Sequence, residues 1–232
     1  MTRHDEIAQG LAAVRERIDV ACAAADRSPD EITLVVVTKF FPASDVRLLA
    51  DLGVRDVGEN RHQEAVEKAA ECSDLDVRWH FIGGLQSNKA AAVTTYADVV
   101  HSVDRAKLVG GLSRGAQERG RLLDCLVQVS LDPPGAEGRS GCDPDDVPAL
   151  VARLQEAEGL QLRGVMGVAP LGGDPGEAFE KLAAIAADVR AQEPGATWVS
   201  AGMSGDLEDA VRHGATHLRI GSAVLGPRPV VK

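Results

Sequence analysis

Aromatic residues are nearly missing from this 232-residue chain, which holds four Phe, two Trp and one Tyr, 3% in all. Tyr96 is the single phenol, so chemistry that needs tyrosine as an acid or base has one candidate. Basic charge is also short: Lys and Arg total 25 against 35 Asp and Glu, a formal net charge of -10. Nucleic-acid binders start from a concentrated basic face, and this balance argues against that class. Cysteine is sparse and scattered. Cys22, Cys72, Cys125 and Cys142 form no CxxC pair, which argues against a zinc ribbon or dithiol motif and for ordinary reduced thiols. No window approaches the roughly 20 apolar residues of a transmembrane helix. The start, MTRHDEIAQG, lacks the apolar stretch of a secretory signal. A cytoplasmic protein with no membrane partner is the expectation. The G-x-S-x-G elbow, the P-loop and H-E-x-x-H are missing as well.

What is present is an aliphatic core. Apolar residues make up 44% of the chain, enough to exclude a disordered class, and one domain over 1–232 is the simplest organisation. Eight short apolar runs recur: ITLVVV (32–37), VRDVG (54–58), RWHFIG (78–83), DVVHSV (98–103), LLDCLVQVSL (122–131), LQLRGVMGV (160–168), TWVSAG (197–202) and HLRIG (217–221). Several are apolar almost throughout, as strands covered on both faces of a parallel sheet should be. Helical periods fill the intervals at 45–52, 105–119, 144–158, 178–190 and 206–213, with Asp143 as an N-cap and Gly214 as a C-cap glycine. A further helix over 4–25 precedes the first strand. Eight strands alternating with helices predict a (β/α)8 TIM barrel with an extra N-terminal helix. An open doubly wound sheet is the alternative, weakened by the lack of a dinucleotide fingerprint. The turn-rich loop over 132–146 is long enough to suggest function or mobility.

In such barrels reactive groups sit where strands run into helices. Lys39 follows directly on the first strand, where desolvation would free its amine as a nucleophile. Glu59 and Asn60 end the second strand and could orient a ligand or cap the next helix. Gly83 and Gly84 end the third and allow close backbone approach, with Asn88 opening or supporting the helix beyond. His80, between Trp79 and Phe81, reads more readily as a packed core histidine than as an acid or base. The seventh and eighth strands end in SAGMSGD and RIGSAVLG. Both are glycine-containing turns before a helix, the recurring phosphate site of this fold, with hydroxyls from Ser200, Ser204 and Ser222. His213 and His217 have helical ligand spacing, but Gly214 breaks the geometry and no metal is expected. Lysine and phosphate cradle together suggest a phosphorylated carbonyl compound held as a Schiff base. Pyridoxal 5'-phosphate (PLP) fits with Arg219 near its ring, and a class I aldolase would fit equally.

The segments VVVTKFFP, GENRHQE, WHFIGGLQSNK, SVDR, RSG (139–141), RGVMGV and SAGMSGDLEDAVRHGATHLRIGSAVLG, in this order, resemble the PLP homeostasis proteins. These are single-domain relatives of the alanine racemase N-terminal barrel, and the resemblance covers nearly the whole chain. It implies a PLP-binding barrel of fold type III, with PLP joined to Lys39 as a Schiff base. Asn60 would lie beside the cofactor and Met166 would pack near it. Ser200, the backbone around Met203 and Ser204, and Gly221 with Ser222 would hold the phosphate. Arg219 would approach the pyridine nitrogen and weaken the ring as an electron sink. It also implies a role in vitamin B6 homeostasis without established turnover, a monomer, and apo PLP-dependent enzymes as candidate recipients. Phe41 stands where the family often has a second lysine, which bears on PLP exchange, and Ala201 replaces a common methionine. The competing expectation is a PLP-dependent amino-acid racemase. That reaction needs two opposed bases, and alanine racemases take the second, a tyrosine, from a further domain for which this chain is too short. Tyr96, expected late in the helix after the third strand, is poorly placed to replace it.

Overall fold

Eight parallel strands close on themselves in sequence order in the computed structural model, which describes residues 1–133 and 140–227. The order is α1 (Arg3–Ala24), β1 (Thr33–Val37), α2 (Ala43–Asp51), β2 (Asp56–Glu59), α3 (His62–Glu71) and β3 (Arg78–Phe81). Then follow α4 (Ala90–Val93), β4 (Val99–Val103), α5 (Ala106–Arg119), β5 (Leu123–Gln128), α6 (Val147–Gln155) and β6 (Leu160–Met166). The chain continues through α7 (Pro175–Gln192), β7 (Trp198–Ser200), α8 (Leu207–Arg212), β8 (His217–Ile220) and α9 (Ser222–Leu225). This is the (β/α)8 barrel, and the open-sheet alternative is excluded because β1 pairs with both β2 and β8.

The apolar runs do not alternate because helices cover the barrel's outside and side chains fill its inside; every residue of β4 and β5 is buried. Asp143 caps a short 3-10 turn (Pro144–Asp146) ahead of α6, accepting from the Asp145 amide at 3.0 Å. Gly214 follows the end of α8. The four cysteines are buried and form no disulfide. Tyr96 departs from expectation. α4 is only four residues long, so Tyr96 lies in the turn beyond it. No described helix is long and apolar enough to cross a membrane. Part of the 132–146 loop, including Arg139 of the RSG motif, lies outside the described residues.

α1 is held by a Thr2–Asp5 capping box and buries Ile7, Leu11, Val14, Ile18 and Cys22 along one stripe. It packs on α2, α8 and α9, across the seam where β8 meets β1. Gly10 makes that approach possible, since a Cβ there would lie 2.4 Å from the Val224 carbonyl oxygen. Gly10→Val is therefore expected to cost about 1–3 kcal/mol of stability by forcing the helices apart. A urea midpoint equal to that of the unaltered chain would refute this packing account. At the N-terminal end of the barrel, Asp124 binds both Arg78 and Arg163, and the two guanidinium groups flank Trp198 at 5.0 and 5.2 Å.

Candidate functional site

A cavity of about 310 Å³ opens at the C-terminal end of the strands, and Lys39, Ser204, Arg219 and Ser222 contribute its polar lining. Val37, Phe41, Ile82 and the side of Met203 supply apolar walls. Its size falls at the small end of ligand sites, about 300–1,000 Å³. A larger, more open cavity of about 740 Å³ adjoins it between α1 and α9 and shares Phe41 and Ser222. There Arg3 is already committed to Asp45 at 2.6 Å and to the Leu225 carbonyl at 3.0 Å. The smaller cavity is the one that brings an amine, a guanidinium group and hydroxyls together.

Lys39 is half-buried in the tight turn leaving β1, and Phe40 beside it has φ +71°, a left-handed conformation that non-glycine residues rarely adopt. The turn is clamped from below by three charged residues. Glu59, fully buried, accepts from the Thr38 hydroxyl and from Lys68 Nζ, both at 2.6 Å. Lys68 Nζ also donates to the Thr38 carbonyl at 2.8 Å and to Glu64 at 3.0 Å. Glu64 in turn accepts the Phe40 amide at 2.6 Å. Backbone groups on both sides of Lys39 are thus tied to one ion cluster. Burial raises the Glu59 carboxyl above the ordinary range, against the opposing pull of Lys68 and of the Thr38 bond. Glu59 therefore neither orients a ligand nor caps α3, whose N-cap is Arg61 and carries no side-chain cap bond. Lys68 was not a sequence candidate. Its one legible signal is the i,i+4 spacing from Glu64.

Arg219 is 5% exposed and reaches the cavity from β8. It donates to Ser200 Oγ at 2.6 Å and to the Gly167 carbonyl at 2.9 Å, and burial pulls its pKa down to about 10. The residues expected to hold a phosphate are only partly brought together on the cavity. Ser204, Gly221 and Ser222 line the cavity, and α9 opens at Ser222, so the first amides of that turn have no helical acceptor. Gly202 makes the neighbouring turn, with φ +89° and a position where a Cβ would lie 2.6 Å from Ala210 Cβ. The Met203 amide, however, is already taken by Asp206 at 2.6 Å. Ser200 does not line the cavity. It is fully buried at the end of β7, with its hydroxyl between Arg219 and His101. Met166 lies below in a small apolar cluster with Val99 and Leu126, and half-buried Asn60 stands at the end of β2; neither lines the cavity. His80 is the packed, hydrogen-bonded core residue expected.

Tyr96 is 8% exposed, its ring 5.8 Å from His62, and it does not line the cavity. Burial raises its pKa well above the ordinary phenol range. Its hydroxyl has no partner among the described residues.

Comparison with known proteins agrees with this architecture. Residues 10–229 match the family described as alanine racemase, N-terminal domain. The pyridoxal phosphate homeostasis protein of Mycobacterium tuberculosis H37Rv is 46% identical over 245 residues, covering 97% of this chain and 94% of the relative. That of Escherichia coli K12 is 35% identical, covering 98% and 99%. Among solved structures, PipY of Synechococcus elongatus PCC7942 with PLP bound is 38% identical with a TM-score of 0.82, covering 95% of this chain and 100% of its own. Clostridium difficile 630 alanine racemase, 16% identical with a TM-score of 0.68 over 53% of its length, shares the fold.

Proposed function

The chain belongs to the pyridoxal phosphate homeostasis proteins, within the alanine racemase N-terminal domain family, and from that premise we propose that it binds PLP in the Lys39–Arg219 cavity. It holds the cofactor as a Schiff base on Lys39 and serves in vitamin B6 homeostasis without turning over a substrate. PLP supplies an aldehyde that condenses with an amine and a phosphate that accepts several hydrogen bonds. The residues present suit both ends. Lys39 brings the amine on a turn held in one shape; Ser204, Ser222 and the opening of α9 would hold the phosphate, and the glycines would leave it room. Arg219 would serve as a permanent donor to the ring nitrogen, which would disfavour a proton there. Ser200 would act through Arg219, Asn60 at the end of β2 would lie beside the cofactor, and Met166 packs in the layer beneath.

The observation that supports the absence of turnover is the cavity's own lining: among the described residues, Lys39 and Arg219 are the titratable side chains on it. Racemisation needs a second base across the α-carbon, and Tyr96 is buried elsewhere. A cytoplasmic monomer that passes PLP to apo PLP-dependent enzymes completes the reading. The test is titration with PLP, reduction with borohydride and peptide mapping. A stoichiometric label on the peptide holding Lys39 is expected; label on Lys68 or Lys89 instead would overturn the site. Incubated with L-alanine, the loaded protein should form no D-alanine above a blank. Conversion at ordinary enzyme rates, about 1–1,000 per second, would restore the racemase reading.

A further inference from the structure

Barrel interiors are usually filled by branched aliphatic side chains. This one contains a polar thread. Asp56 Oδ1, at the start of β2, lies 2.8 Å from His80 Nε2, and His80 Nδ1 lies 2.8 Å from His101 Nε2. His101 Nδ1 is 2.9 Å from Ser200 Oγ, which accepts from Arg219 at 2.6 Å. Strands β2, β3, β4, β7 and β8 each contribute one residue. The thread therefore runs from a partly exposed carboxylate to the guanidinium that lines the cavity. Both imidazoles are fully buried, and burial depresses their pKa values, so both are neutral.

A neutral ring carries one proton, and an ionised carboxylate only accepts. Asp56 thus requires the His80 proton on Nε2. His80 Nδ1 must then accept, which places the His101 proton on its Nε2. His101 Nδ1 accepts in turn from the Ser200 hydroxyl, leaving a Ser200 lone pair for Arg219. Every donor points toward Asp56. In the reverse order a ring lone pair would face the carboxylate, so its charge decides between the two. Burial pushes the Asp56 carboxyl up, but the His80 bond and the nearby Arg78 outweigh this and hold it below its ordinary value. Other neighbours are already engaged. Arg78 is bound to Asp124, Asp98 to Arg119, and His217 to the Thr216 hydroxyl at 2.8 Å while its ring lies 4.4 Å from Trp198.

We propose that Asp56 is a remote positioning residue for Arg219, setting through His80, His101 and Ser200 the proton order that holds the guanidinium at the ring-binding end of the cavity. The link to the cofactor rests on the PLP reading above; the proton order does not.

The test reads the tautomers by long-range ¹H–¹⁵N correlation in the PLP-free protein, then the PLP complex by absorbance. His80 and His101 should both appear as Nε2–H rings. In Asp56→Asn at least one should move to, or exchange with, the Nδ1–H form. The absorption band of the complex should then shift and the Kd for PLP rise about two- to thirtyfold. Ser200→Ala should reproduce the change in the PLP band while leaving His80 on Nε2–H. Nδ1–H rings in the unaltered protein would overturn the proposal, a result that needs no folded variant. So would an Asp56→Asn protein with unchanged tautomers and an unchanged band. Failure of the unaltered protein to take up PLP would remove the cofactor reading alone.

Discussion

Lys39→Ala is expected to abolish borohydride labelling and raise the Kd for PLP at least about a hundredfold, equivalent to roughly 2.7 kcal/mol. The alanine chain keeps Arg219, Ser204 and Ser222, so weak reversible binding should persist. Only the covalent contribution and the amine's charge are lost. Lys39→Arg separates these two, because guanidinium keeps the charge and cannot form the Schiff base at neutral pH. It should bind PLP more tightly than the alanine variant and still take no label. Absorbance titration of the three proteins side by side is the measurement. A visible band of unaltered position and affinity in Lys39→Ala would place the reactive amine elsewhere.

Lys68→Met should produce the largest loss of stability, about 3–5 kcal/mol, because it strands the Glu59 carboxylate without its cation in a fully buried site. The double variant Glu59→Gln/Lys68→Met should recover most of this, since a neutral pair of similar size requires no buried charge. The sign with pH is definite. A carboxyl whose folded pKa lies above its unfolded value is most favourable below about 4.5 and loses stability as pH rises through the folded value. The Lys68→Met defect should therefore shrink as pH falls toward that range, and the double variant should lack this dependence. Urea denaturation at several pH values reads both. A Lys68→Met chain as stable as the parent at neutral pH would contradict the clamp. The clamp also bears on function, since it bonds the Thr38 carbonyl and the Phe40 amide on either side of Lys39. PLP affinity should fall in the single variant even where the chain remains folded.

The architecture was legible because it follows from local pattern. Strand runs such as ITLVVV and LLDCLVQVSL coincide with β1 and β5, and the α1 stripe is readable from its spacing alone. That Lys39, Arg219, Ser204, Gly221 and Ser222 share one cavity was legible for the same reason: each lies at or shortly after the end of a recognisable strand. Ser200 shows the limit. It too ends a strand and faces into the barrel, but the Arg219 guanidinium lies against its hydroxyl, so Ser200 supports a group on the cavity instead of lining it. The scarcity of aromatics similarly foretold an aliphatic core and a single phenol. That Tyr96 is packed against His62, away from the cavity, depended on α4 ending after one turn.

The order of strands and helices, the aliphatic core, the family, and the positions at which an amine, a guanidinium group and small hydroxyl residues leave the strands are all readable in the chain alone. Those properties are written in periodicities of two and 3.6 and in short contiguous motifs. Which charges meet is set by folding. The Glu59–Glu64–Lys68 clamp and the thread from Asp56 to Arg219 join residues from different strands and helices, up to 99 positions apart along a single bond in the case of His101 and Ser200. Such contacts depend on barrel closure and register, because only a closed ring of strands makes distant inward-facing side chains neighbours.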